Sequence, residues 1–343
     1  MRSGGDRNFL SLALTTGNYD VIKLLLENGI DVDARDDVGE TALFKAVDAG
    51  NGPVIELLLK HGADPNRLDA GGEPVLRRAI VTCNVTVAKL LLDAGAKANH
   101  SSEPHKPTLI AAACALRDQK MAEELIKHGA DVNKKGINRE TAIFSAVREK
   151  QVELIKYLLT QKADVNHQNA KGESVLYVAI DEQDLSLVKL LLSNGAHVNL
   201  QRVRNLTPLD WAIQKGDLDI VKELLTQGAD ANGVNSRGST PLAAVMRLFN
   251  DQDSAEQRAC CFSILKELLQ HGADPSYVNE KSSNDCVFHD AVRTEDAALI
   301  EELLKAGVDV NITGGPLKET ALFVTVGKKN QSYQYFLGLT PHS

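Results

Sequence analysis

Aromatic residues make up only 4% of this 343-residue chain, and Trp211 is its single tryptophan. So few rings exclude a core built on bulky aromatic side chains and fit thin layers of Leu, Ala and Val. Cysteine is also sparse. Cys83, Cys114, Cys260, Cys261 and Cys286 form no C-x-x-C pair and no even-numbered framework, which argues against a disulfide scaffold and for a reducing compartment. Long hydrophobic runs are missing. The stretch from Leu109 to Leu116 is far shorter than the ~18 residues a bilayer span requires, so no membrane insertion is expected. The polar opening RSGGDRN has no apolar segment of the secretory kind. Together these absences lead us to expect a cytoplasmic protein, with a nuclear location left open.

Positive charge is short as well. Lys and Arg number 38 against 46 Asp and Glu, and the net charge of −8 disfavours a nucleic-acid partner, whose affinity rests on phosphate neutralisation. The sequence contains no G-x-S-x-G, no H-E-x-x-H, no P-loop and no strand-to-helix G-x-G-x-x-G. The expectation is a protein that is not an enzyme and holds no cofactor or metal.

What is present is a period. Gly29, Gly62, Gly95, Gly129, Lys162, Gly195, Gly228, Gly272 and Gly307 follow one another at steps of 33, 33, 34, 33, 33, 33, 44 and 35. Thr41, Pro74, Thr108, Thr141, Ser174, Thr207, Thr240, Cys286 and Thr320 repeat at nearly the same steps. A fixed spacing in this range marks a repeat array, in which each unit buries its apolar face only against its neighbours. Within 171–201, Ser174 is placed to cap a helix carrying Leu176, Ala179 and Ile180 at helical spacing. A break at Gln183 and Asp184 leads into a second helix whose Leu187, Val188, Leu190, Leu191 and Leu192 call for cover on both sides. Asn194-Gly195 ends it, with the glycine suited to a left-handed cap.

These motifs resemble the ankyrin repeat family. The family's T-P-L-H-x-A helix start matches Thr207-Pro208-Leu209-Asp210-Trp211-Ala212, and its L-L-x-x-G-A-D-x-N ending matches Leu58 to Asn66 and Leu225 to Asn232. The resemblance spans residues 9 to 325 and implies an all-α fold, a solenoid of helix-turn-helix layers joined by β-hairpin fingers. About nine full repeats are expected, plus a partial one at the carboxyl end. They fall near 9–36, 37–69, 70–102, 103–136, 137–169, 170–202, 203–235, 236–279, 280–314 and, in part, 315–330, forming one array over 1–330 with a non-repeat tail at 331–343. The eighth unit carries a polar insertion, 250–258, between its helices, which should protrude opposite the fingers. The His expected fourth in the helix start occurs only as His289; Phe44, Arg77, Ala111, Phe144, Tyr177, Asp210, Ala243 and Phe323 take its place elsewhere.

Three histidines, His61, His128 and His271, recur before the G-A-D ending. Whole layers separate them, so each is read as a cation at a helix carboxyl end rather than as a metal ligand. Asp31, Asp33, Asp36 and Asp37 lack the order of a calcium loop, because Arg35 takes the fifth place.

The resemblance implies that partners bind on a concave surface made by the fingers and first helices. By position this surface takes in Lys45, Asp48, Arg77, Arg78, Arg148, Glu149, Tyr177, Asp181 and Glu182, with Lys134, Lys135, Arg139, Arg202, Arg204 and Arg237 from the fingers. Basic groups recur there, so a protein partner with an acidic face is expected. The resemblance also implies hydroxylation of hairpin asparagines in L-x(5)-D-V-N sequences, which Asn133 and Asn166 fit. The functional expectation is a scaffold or adaptor. Two rivals stay open: a regulatory segment of a larger channel, kinase or ubiquitin-ligase receptor, and a sensor of an anionic small ligand or oligonucleotide held by Arg77, Arg78, Lys134 and Lys135.

Overall fold

The structure is a computed structural model that describes residues 9–100, 106–251, 254–279, 285–314 and 319–321. It divides into two compact units, Met1–Ala170 and Lys171–Ser343. The expected partial repeat from 322 on and the 331–343 tail lie outside the described residues.

Unit 1 contains five helix pairs: α1 (Phe9–Thr16) with α2 (Tyr19–Glu27), α3 (Ala42–Asp48) with α4 (Gly52–Lys60), α5 (Val75–Val81) with α6 (Val85–Asp93), α7 (Leu109–Ala115) with α8 (Gln119–Lys127), and α9 (Ala142–Arg148) with α10 (Val152–Thr160). The first helices stack in the order α1, α3, α5, α7, α9, and α2, α4, α6, α8 form a second row behind them. Unit 2 repeats the scheme with α11 (Val175–Asp181) and α12 (Leu185–Ser193), α13 (Pro208–Lys215) and α14 (Leu218–Thr226), α15 (Pro241–Asp251) and α16 (Ala255–Gln270), and α17 (Val287–Thr294) and α18 (Ala297–Lys305). Each unit is thus a stack of ankyrin-type helix-pair layers.

Each layer is held by small and branched side chains. In α3 and α4, Leu43, Phe44, Ala46, Val47, Val54, Ile55 and Leu58 are all buried. Each large one contributes roughly 1.5–3 kcal/mol through lost water contact. In α12 the cover is one-sided: Leu187, Val188 and Leu191 are buried, whereas Leu190 and Leu192 stay half-exposed.

The helix starts divide into two kinds. Every second helix but α10 and α16 opens on an Asn or Asp whose side-chain oxygen accepts from first-turn amides: Asn18, Asn51, Asn84, Asp118, Asp184, Asp217 and Asp296. Such a cap contributes ~1 kcal/mol. Ser174, expected to cap its helix, makes no side-chain cap bond, whereas Thr108 and Thr207 at the equivalent positions do. Asp210, standing where the family pattern has His, returns its carboxylate to the Thr207 backbone N–H at 2.9 Å and completes a capping box. Lys162 takes the left-handed conformation, φ +64°, that glycine supplies in the other repeats.

The fingers are closed mostly by turns rather than strand ladders. Among the described residues, two-residue strands pair only at β1 (Val278–Asn279) with β2 (Asp285–Cys286), and at β3 (Thr313–Gly314) with β4 (Glu319–Thr320). The 250–258 insertion is largely helical. Asn250 and Asp251 extend α15, and Ala255 to Arg258 begin α16, so the added residues lengthen both helices; 252–253 lie outside the described residues.

Candidate protein-interaction surface

Three finger turns are each drawn tight by one polar side chain. The Asp36 carboxylate accepts from the N–H groups of Val38 and Glu40, Asp69 from Gly71 and Glu73, and Asn235 from Arg237 and Ser239. Short polar side chains bond their own backbone readily in this way. Burial alone would raise the Asp36 carboxyl pKa. The Lys45 ammonium, 2.6 Å away, and the two backbone donors outweigh that and hold it below the ordinary value.

The hairpin asparagines, by contrast, bond outward to the next repeat. Asn66, Asn99 and Asn133 each donate to a carbonyl of the following repeat, at Gly95, Gly129 and Lys162, and accept from its backbone N–H at Lys97, Asp131 and Asp164. In unit 2, Asn199 does the same with Gly228 and Asp230, and Asn232 with Gly272 and Asp274. Asp33 occupies the same place in the first repeat but can only accept, which it does from the Asp64 N–H at 3.1 Å. Replacing Asn133 by Ala removes bonds of 2.9 and 2.7 Å and strands their backbone partners. We expect unfolding in urea to show a loss of about 1–3 kcal/mol. A loss below ~0.5 kcal/mol would mean the ladder does not stabilise the stack.

The expected partner-binding residues differ in exposure and in their partners. Tyr177 is a correction: it is 2% exposed, so it offers no surface to a partner. Its hydroxyl lies 2.9 Å from the Leu200 carbonyl and 2.6 Å from that of Leu206, and burial pushes its pKa up. Arg77 is 14% exposed, bonded to Glu73 at 2.6 Å and to the Pro107 carbonyl at 2.8 Å. Arg78 meets Glu40, Asp48 and Asp69 at 2.5, 2.5 and 3.2 Å and stands over the Phe44 ring. Arg148 holds Glu140 through both ends of its fork, and Asp181 pairs with Lys215. These charges join one part of the chain to another. Glu149 is half-buried at the end of α9, and Glu182 is exposed after α11.

The finger cations differ. In unit 1, half-buried Lys134 and exposed Lys135 and Arg139 make no side-chain ion pair among the described residues. In unit 2, Arg202 pairs with Glu173 at 2.8 Å and lies 4.1 Å from the centre of the Trp211 ring. Exposed Arg204 and Arg237 have no side-chain ion pair among the described residues. These three border one groove together with Arg247, which the sequence reading passed over. A signal was available, because Arg247 follows Thr240 by the seven positions that separate Arg148 from Thr141.

The three recurring histidines are helix caps, at the ends of α4, α8 and α16. His128 bonds the Glu124 carbonyl and the Asp93 carboxylate, and these raise its pKa. Cys261 is buried, whereas Cys260 is half-buried with its thiol 3.2 Å from the Gly216 carbonyl. No helix among the described residues is long and apolar enough to cross a membrane.

A search of the curated proteins returned no match. Among solved structures, the chain is similar to the ankyrin repeat domain of Bcl-3, described as a unique member of the IkappaB protein family. The two are 30% identical, with a TM-score of 0.57, over 61% of this chain and 95% of that one. The family model for ankyrin repeats in three copies matches at 10–102, 76–169, 109–202, 143–235, 176–257 and 209–314. Helix pairs, left-handed caps, asparagine-bridged fingers and these matches agree over most of the sequence, and the chain belongs to the ankyrin repeat family.

Proposed function

We propose that this chain is a non-enzymatic adaptor that binds a protein partner with an acidic face along its fingers. The supporting observation is the division of its basic residues. Those on the first helices of unit 1 are committed to internal carboxylates, whereas Lys134, Lys135, Arg139, Arg204 and Arg237 on the fingers are not. A preformed layered scaffold loses little conformational entropy on binding, which favours rigid complementarity over induced folding. Ankyrin repeats are in general protein-interaction modules, and the similarity to the Bcl-3 domain agrees with that role. The anionic-ligand reading loses Arg77 and Arg78, whose guanidinium groups are already engaged.

The test is site-specific photocrosslinking in cells, with the crosslinker at Lys135 or Arg204 on the fingers and at Lys156 or Lys189 on second helices. Discrete protein adducts are expected from the finger positions alone. Equal adducts from all four, or none from the fingers, would refute the reading. Hydroxylation of Asn133 and Asn166 belongs to the same proposal. Since both ends of the Asn133 amide are bonded, a modifying enzyme must first open that finger.

A further inference from the structure

Unit 2 holds a groove of about 440 Å³ beside its fingers at 202–206 and 235–239. Arg202, Arg204, Arg237 and Arg247 line it, and Asp251 is the one carboxylate among its lining residues. Glu173 neutralises Arg202 from alongside, at 2.8 Å. Four guanidinium groups face Asp251, Glu173 and the buried Asp210, so one positive charge is left over, in a chain whose net charge is −8. Arg247 donates to the Ser239 hydroxyl at 2.6 Å and lies in the field of the buried Asp210 carboxylate. Leu206, Ala244 and Leu248 add an apolar lining.

Like charges gathered in a groove focus a field that attracts an anion. Guanidinium forks match the oxygens of phosphate and carboxylate in pairs. A carboxylate offers two oxygens, whereas a phosphomonoester offers three and carries about −1.5 to −2 at neutral pH, enough to engage Arg204 and Arg237 together. Nucleic acid would present a line of phosphates, but the basic residues meet here in one place on an acidic chain. We infer that this groove receives a phosphorylated serine or threonine side chain of a partner protein, with an apolar neighbour of that residue against Leu206 and Leu248. This rests on the protein-interaction reading above and names the chemistry that one finger groove selects.

The experiment uses the full chain and three fluorescent degenerate peptide pools that differ only in a central Ser, phosphoserine or Glu, with labelled oligothymidine as a fourth probe. Anisotropy should show the phosphoserine pool binding at least about tenfold more tightly than the Ser pool, the loss expected when a charge-assisted contact is removed. The double variant R204A/R237A should lose about tenfold toward phosphoserine, and R204K/R237K should fall between it and wild type, since lysine keeps the charge without the fork. Lys156→Ala, an exposed change on α10, should bind as wild type. Free inorganic phosphate should compete only weakly, because it lacks the apolar contact.

Equal binding of the phosphoserine pool to wild type and R204A/R237A would overturn the inference. So would equal binding of the Ser or Glu pool, tighter binding of oligothymidine, or no binding of the phosphoserine pool. The crosslinking experiment separates the two failures. Finger adducts together with phosphate-independent peptide binding would sink this inference alone, whereas loss of both would sink the interaction reading as well.

Discussion

Gly238→Ala is expected to cost about 2–4 kcal/mol in urea unfolding. The residue has φ +76°, and a Cβ built there falls 2.1 Å from Asn279 Oδ1 and 2.9 Å from its Cγ. Two costs add. The left-handed conformation alone penalises a side chain by about 1 kcal/mol. Asn279 must also move, although it is buried and donates to the Arg237 carbonyl at 3.1 Å. Breaking that bond and repacking the site costs about 1–3 kcal/mol more. Gly228→Ala is the matched control, because Gly228 has φ +87° but open space around its Cβ position. It should show the conformational cost alone. If the two variants lose equal stability, Asn279 yields without cost and the close packing between fingers is not a constraint.

Arg78→Ala should remove about 2–3 kcal/mol at neutral pH and much less in acid. The guanidinium faces Glu40, Asp48 and Asp69, and its removal leaves three carboxylates near one another without their cation. Burial alone would raise the Asp69 pKa, but the backbone donors at Glu73 and Gly71 and the Arg78 fork hold it below the ordinary 3.8. A depressed carboxyl pKa stabilises the fold above the unfolded-state value, and that stability is lost as pH falls through the folded-state value. The gap between wild type and variant should therefore be widest at neutral pH and shrink below pH 3.8. A gap that stays constant down to strong acid would assign the loss to packing of the arginine stem on Phe44 rather than to its charge.

Much of the fold was legible in the sequence because the information is periodic. Steps of 33 residues and the T-P-L and G-A-D motifs report layers whose faces must match their neighbours. The surface was harder to read. Position on a family template says where a residue stands, not which carboxylate a neighbouring repeat brings to it. Arg78 is committed to acids as far as 38 positions away in sequence, and no local window contains them. The asparagine ladder escaped for the same reason: read locally, Asn133 serves its own turn, whereas its partners lie 29 and 31 residues on. Tyr177 is different, because its burial could have been read. Phe44 and Phe144 hold the same place in their repeats, and both are fully buried.

The eighth repeat shows where this chain keeps its measure. Asn232 reaches carbonyl and amide partners 40 and 42 residues on, where the other rungs span 29 to 32. The rung closes all the same, because the additional length is taken up in α15 and α16, at the far end of the layer. Register is thus set on the finger side, and contour length is free on the other. At ~3.4 Å per residue, roughly eleven added residues are some 37 Å of chain if fully extended. A gene can acquire or shed that length between two helices without turning any downstream side chain to a different face. The same change within a finger would shift a rung, and with it the seating of the next layer.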